Sequence, residues 1–112
     1  ERSIRQARKV YNNAWVRPFE GGLKIDQSVM EHLSFRRHNL KDPFPIIGAS
    51  LIICRNVLIY MNQYSRFACI ESFYQGLNPG GYLLLGSSES AHAFGSLFRR
   101  RDFPETFIYE RR

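Results

Sequence analysis

Arg55, Asn56 and Tyr60 are the residues whose types and spacing best suit chemistry on a carboxylate. They lie in Cys54-Arg55-Asn56-Val57-Leu58-Ile59-Tyr60, directly after the apolar run Leu51-Ile52-Ile53-Cys54. A guanidinium is a planar donor matched to a carboxylate, and a side-chain amide both donates and accepts. Tyr60 follows Asn56 by four residues, so a helical turn between them returns its hydroxyl to the same mouth. The plainer alternative has Arg55 and Asn56 capping the next turn and Tyr60 packing. Asn39-Leu40 is a second candidate: the amide can read an adenine edge while the leucine packs near the ring. On spacing alone, a turn-forming asparagine and a core leucine explain that pair more simply. Gly86-Ser87-Ser88-Glu89 offers small residues where a ligand can come close, without the spacing of a phosphate loop. The histidines, His32, His38 and His92, lack metal-ligand spacing, and no metal is expected. No Ser-His-Asp or Cys-His grouping stands out.

The elements that must position these groups follow from periodicity. Ile4, Ala7, Val10 and Tyr11 form a helical stripe, which predicts a helix over residues 3–12 with Ser3 as cap. Residues 15–22, with Pro18 and Gly21-Gly22, read as loop. Asp26 caps a short helical turn over residues 26–32. Residues 33–38 alternate apolar with polar and predict a short strand, ended by the rigid Asp42-Pro43-Phe44-Pro45. The unbroken run at 51–54 predicts a strand covered on both faces. Phe67, Ile70, Phe73, Tyr74 and Leu77 mark an amphipathic helix over residues 63–77, stopped by Asn78-Pro79-Gly80-Gly81. A second apolar strand follows at 82–85, and residues 97–112 read as an antiparallel hairpin about Pro104. Strand, helix, strand with both strands apolar indicates a parallel βαβ unit. Ligands of such sheets bind beyond the carboxyl ends of the strands, at Cys54-Arg55-Asn56 and Gly86-Ser87-Ser88-Glu89.

The 112 residues suffice for one domain with one core. Sixteen Lys and Arg against ten Asp and Glu leave +6, which favours an anionic partner. A nucleic-acid role rests on that charge alone, because no aromatics interleave the basic clusters, and is not expected. No apolar run approaches the ~20 residues of a membrane helix, so no membrane insertion is expected. The N-terminus lacks the apolar stretch of a signal peptide. Cys54 and Cys69, 15 apart, make no zinc or redox motif, and a reduced, cytoplasmic setting is the default.

Together these motifs resemble the chemotaxis receptor methyltransferases, the CheR family. The resemblance is carried by Asn39-Leu40, by Leu51 through Tyr60, by Leu77-Asn78-Pro79-Gly80-Gly81-Tyr82 through Gly86, and by Ser88-Glu89-Ser90. Ala7-Arg8 with Tyr11 and the closing Phe107 to Arg111 extend it over nearly the whole chain. It implies an α/β fold, the carboxyl-terminal half of a Rossmann-like sheet with a closing antiparallel hairpin. It also implies S-adenosylmethionine as methyl donor and the glutamate carboxylates of acidic chemoreceptor domains as acceptors. By resemblance, Asn39 and Leu40 contact the adenine end, while Cys54, Arg55 and Asn56 line the cofactor pocket. Arg55 and Tyr60 face the methyl group and the incoming carboxylate.

The sequence departs from the family at Ala49-Ser50, where an acidic residue after an aromatic is usual, and at Ser87, where a histidine is usual. The larger departure is at the front: the glycine-rich loop after the first strand and the acidic residue after the second have no counterpart. Residues 1–112 are therefore expected to be part of such a domain, with little activity alone. The usual strand order is 3-2-1-4-5-7-6, and without strands 1 and 2 the fourth strand has an open apolar edge. That edge is expected to be closed by another copy of the chain or by a rearranged third strand. A non-catalytic, partner-binding or self-associating module of the same fold is the rival reading.

Overall fold

A computed structural model describes residues 15–112, and the helix expected over residues 3–12 lies outside the described residues. The chain divides into two compact units that meet in sequence between Arg37 and His38.

In the first unit, β1 (Val16–Phe19) and β2 (Gly22–Ile25) form an antiparallel ribbon in register from Val16 opposite Ile25 to Phe19 opposite Gly22. This corrects the loop expected over residues 15–22. Glu20 and Gly21 both take positive φ, 44° and 79°, as a two-residue hairpin turn of matching twist requires. Pro18 is accommodated because a two-stranded ribbon is all edge. Asp26 then caps α1 (Gln27–Met30), its carboxylate accepting from the Ser28 N–H at 2.9 Å, as the sequence suggests. The strand expected over residues 33–38 does not form. Alternation makes a segment fit for a sheet, but a strand exists only with a hydrogen-bonded neighbour. None of the described residues pairs with this segment, and Phe35 is 83% exposed.

In the second unit, β3 (Ala49–Cys54), α2 (Gln63–Gly76) and β4 (Leu77–Leu85) form the βαβ unit, with β3 and β4 parallel. β5 (Phe98–Phe103) and β6 (Thr106–Arg111) close the sheet as an antiparallel hairpin, and β6 pairs with β4. The order β3-β4-β6-β5 reproduces the 4-5-7-6 half of the expected sheet. α2 begins where the Asn62 side chain accepts from the Ser65 N–H at 2.9 Å. It ends at Gly76, which must be glycine because a side chain there would strike the Phe44 ring and the Ile46 carbonyl. The pairing of β3 with β4 jumps from Ala49 opposite Leu77 to Leu51 opposite Tyr82. Asn78-Pro79-Gly80-Gly81 supplies the extra chain, with Gly80 at φ 78° and the Asn78 amide donating to the Gly48 carbonyl at 3.0 Å.

The core lies between α2 and one face of this sheet. Ile52, Cys54, Leu83, Leu85 and Tyr109 meet Cys69, Ile70 and Phe73. Edge-on aromatic pairs fasten its margin: Phe44 with Phe73 at 5.5 Å, Tyr74 with Phe98 at 5.8 Å, and Phe107 with Tyr109 at 5.7 Å. The other face differs from expectation. β3 is covered on one side only, with Leu51 50% and Ile53 62% exposed. Its outer edge has no strand partner among the described residues.

Candidate active site

The carboxyl ends of the parallel strands β3 and β4 converge on one buried carboxylate. β4 runs out at Leu85, and the next residues turn back, with the Glu89 N–H donating to the Gly86 carbonyl at 3.0 Å. This turn carries Glu89 inward until the residue is only 5% exposed. Its Oε1 accepts from the N–H groups of Asn56 and Gly86, both at 2.8 Å. Its Oε2 accepts from Leu58 at 2.7 Å, Val57 at 3.1 Å and Ile59 at 3.3 Å. Burial pushes the Glu89 carboxyl up. The N–H groups of Asn56, Gly86, Leu58 and Ile59 oppose this and together hold it below the ordinary carboxylate range. A buried anion is tolerable here because five donors replace its water.

The geometry around that carboxylate explains the local sequence. Asn56 sits at φ 60°, a left-handed conformation that asparagine accepts better than most residues. The turn it makes aims successive N–H groups of residues 56–59 at one point. Gly86 has to be glycine for space: a Cβ there would lie 2.5 Å from Asn56 Oδ1 and 2.7 Å from Glu89 Oε1. Leu58, on the short 3-10 turn Leu58–Tyr60, is buried beneath this turn.

Arg55 stands at the rim. It lines a cleft of about 430 Å³ with Leu84, Leu85 and Ser87 from the end of β4. The opposite wall is the hairpin, with Arg100, Asp102, Thr106 and Phe107. Arg100 is engaged there: its Nε donates to Asp102 at 2.7 Å and its guanidinium lies 4.0 Å from the Phe107 ring centre. Arg55 makes no ion pair among the described residues, which leaves its guanidinium available to an arriving anion. A smaller cleft of about 280 Å³ lies beside it, lined by Ile59, Arg66, Ser88, Glu89 and Ser90.

The remaining candidates sit apart from this rim. The Cys54 side chain belongs to the core, and burial, followed by the Glu89 charge, pushes its thiol up. Tyr60 is 84% exposed on the 3-10 turn and lines neither cleft. The Asn39 side-chain oxygen accepts from the Lys41 N–H at 3.0 Å, closing a local turn. Its amide nitrogen makes no hydrogen bond among the described residues. Leu40 packs half-buried against the core of the same unit. In the sequence Glu89 stands out only as the end of the Gly86-Ser87-Ser88-Glu89 segment beyond β4, with no role of its own. The available signal was an acidic residue set among small ones directly after an apolar strand.

The CheR methyltransferase, SAM binding domain, family model matches residues 1–107. The chain belongs to the CheR methyltransferase family. It is 37% identical over 93 residues to Chemotaxis protein methyltransferase 2 of Vibrio cholerae, covering 80% of this chain and 32% of that protein. It is 42% identical over 72 residues to the chemotaxis protein methyltransferase of Vibrio parahaemolyticus, covering 63% and 26%. The protein of the same name from Listeria monocytogenes is 40% identical over 57 residues, covering 51% and 22%. The chain thus spans about a third or less of the length of these CheR relatives. No described helix is long and apolar enough to cross a membrane.

Proposed function

We propose that this chain is the carboxyl-terminal part of a protein-glutamate O-methyltransferase domain acting on the acidic cytoplasmic surface of chemoreceptors. The observation that carries this reading is Arg55 at the carboxyl end of the parallel strands, without an ion-pair partner among the described residues, in a cleft walled by the hairpin. Arg55 receives the acceptor carboxylate, and the +6 charge of the chain draws in the acidic surface that bears it. A glutamate side chain with a pKa of ~4.3 is already ionised near neutrality, so the site needs no general base. What it must supply is alignment of the carboxylate oxygen with the methyl carbon and exclusion of water.

S-adenosylmethionine supplies an electrophilic methyl group when bound. Asn39, through its amide nitrogen, and Leu40 suit the adenine end, while Arg55 and Asn56 with Cys54 behind them form the floor. Tyr60 needs a change of side-chain rotamer to turn its hydroxyl toward the acceptor. The methionine and ribose ends are assigned to the remainder of the domain, consistent with the share of the relatives that this chain spans.

The test is methyl transfer from labelled S-adenosylmethionine to a receptor cytoplasmic fragment. The chain is assayed alone and with a separately produced amino-terminal portion of the Vibrio cholerae relative. Base-labile label in the receptor is expected with the two parts combined. No label in the combined reaction overturns the reading.

A second reading has its own observation, the outer edge of β3, which has no partner among the described residues and lies beside the exposed Leu51 and Ile53. In the isolated chain this edge pairs with the same edge of another copy. Sedimentation equilibrium showing a monomer at tens of micromolar overturns that reading and leaves the first intact.

A further inference from the structure

Glu89 lines only the smaller cleft, not the one that holds Arg55, yet it joins the two loops that form the rim. One carboxylate oxygen bridges the N–H groups of Asn56, after β3, and Gly86, after β4. The other gathers Val57, Leu58 and Ile59. Arg55 is therefore fixed on both sides, by the β3 ladder up to Cys54 and by the anchored N–H of Asn56. The left-handed φ of 60° at Asn56 bends the chain directly after Arg55, so that the N–H groups of residues 57–59 turn onto the same carboxylate. Such a bend is unfavourable unless the surroundings enforce it. Here the enforcing contact is the carboxylate.

We propose that Glu89 is the positioning residue of the site, acting through the main chain of residues 56–59 to hold Arg55 in line with the acceptor carboxylate. This rests on the methyltransferase reading above. It assigns Glu89 no contact with cofactor or acceptor. A misplacement of about 1 Å in such a site costs on the order of 100-fold in rate. Glutamine at position 89 keeps the shape but turns an amide NH₂ toward N–H donors, so one of the two loops must move away.

The decisive measurement is a double-mutant cycle between Glu89→Gln and Arg55→Ala in the combined methyl-transfer assay, at saturating S-adenosylmethionine and corrected for folded fraction by circular dichroism. Each single substitution is expected to lower turnover by roughly 30- to 100-fold, and the pair by little more than Arg55→Ala alone. A residue that merely supports the fold would lose activity multiplicatively, and that result overturns the proposal. Should Glu89→Gln not fold, Gly86→Ala serves in its place, since its Cβ would crowd Glu89 Oε1 and Asn56 without removing the charge. It is expected to show the same non-additivity with Arg55→Ala, and a multiplicative loss again overturns the proposal. Absence of transfer by the unsubstituted chain with its complement overturns the methyltransferase reading itself, and the positioning role with it.

Discussion

A carboxylate buried among five N–H groups is stable only while it is ionised. The Glu89 carboxyl in the folded protein lies below its ordinary value of 4.5. Its contribution to stability is thus full above that value and is lost as pH falls through the folded one. Asp26, held at about 2 by the N–H and hydroxyl of Ser28 and by Arg17, has the same sign within the other unit. Urea midpoints are expected to fall for the wild type as pH drops from 5 to 3. A Glu89→Gln variant should be less stable at pH 7 and should fall less over that range. The two thiols behave oppositely. Burial pushes Cys69 up to about 11 and raises Cys54 as well. Both should resist a disulfide reagent at pH 8 in the folded chain and react at once in denaturant, which a colorimetric thiol assay reads. Gly86→Ala should cost about 1–3 kcal/mol by urea denaturation, because the two nearest atoms belong to a rigid network. The place of the candidate site was legible: Arg55 and Asn56 follow an apolar run, and they lie at the carboxyl end of β3 as that run implies. Glu89 was not, because its role depends on a turn bringing residue 89 to within 2.8 Å of residue 56. No local spacing encodes that approach.

Elements with a self-contained signal were legible in the sequence, and those defined by a partner were not. α2 and the β5–β6 hairpin lie within a residue or two of expectation, since a helical stripe and a Pro104 turn are local properties. The β1–β2 ribbon looked like loop because its proline and glycines are ordinary loop residues. What makes it a hairpin is a pair of consecutive left-handed residues, one of them Glu20. Residues 33–38 show the reverse case, alternation without a neighbour. Phe73, on α2, is the best single probe of how the βαβ unit holds together, being buried against the sheet and edge-on to Phe44. Phe73→Ala should cost about 3–5 kcal/mol in urea denaturation followed by circular dichroism, enough to unfold the unit at modest temperature.

As a molecule, this CheR-family chain presents a sheet finished on one side and unfinished on the other. α2 covers one face, while Leu51 and Ile53 on β3 stay half exposed or more at an edge with no partner among the described residues. Ile53→Lys should therefore leave the fold within about 1 kcal/mol of the wild type. The same change should abolish self-association in sedimentation, because a charge facing a second copy is unpaired. A wild-type dimer that survives Ile53→Lys would place the contact elsewhere. The rim at the carboxyl ends of β3 and β4 follows a different rule. Glu89 is bound wholly by main-chain N–H groups, which every residue except proline provides. The side chains of Val57 and Ile59 carry none of that restraint and face solvent in part. A lineage can therefore revise the side chains displayed there while the scaffold beneath stays in place.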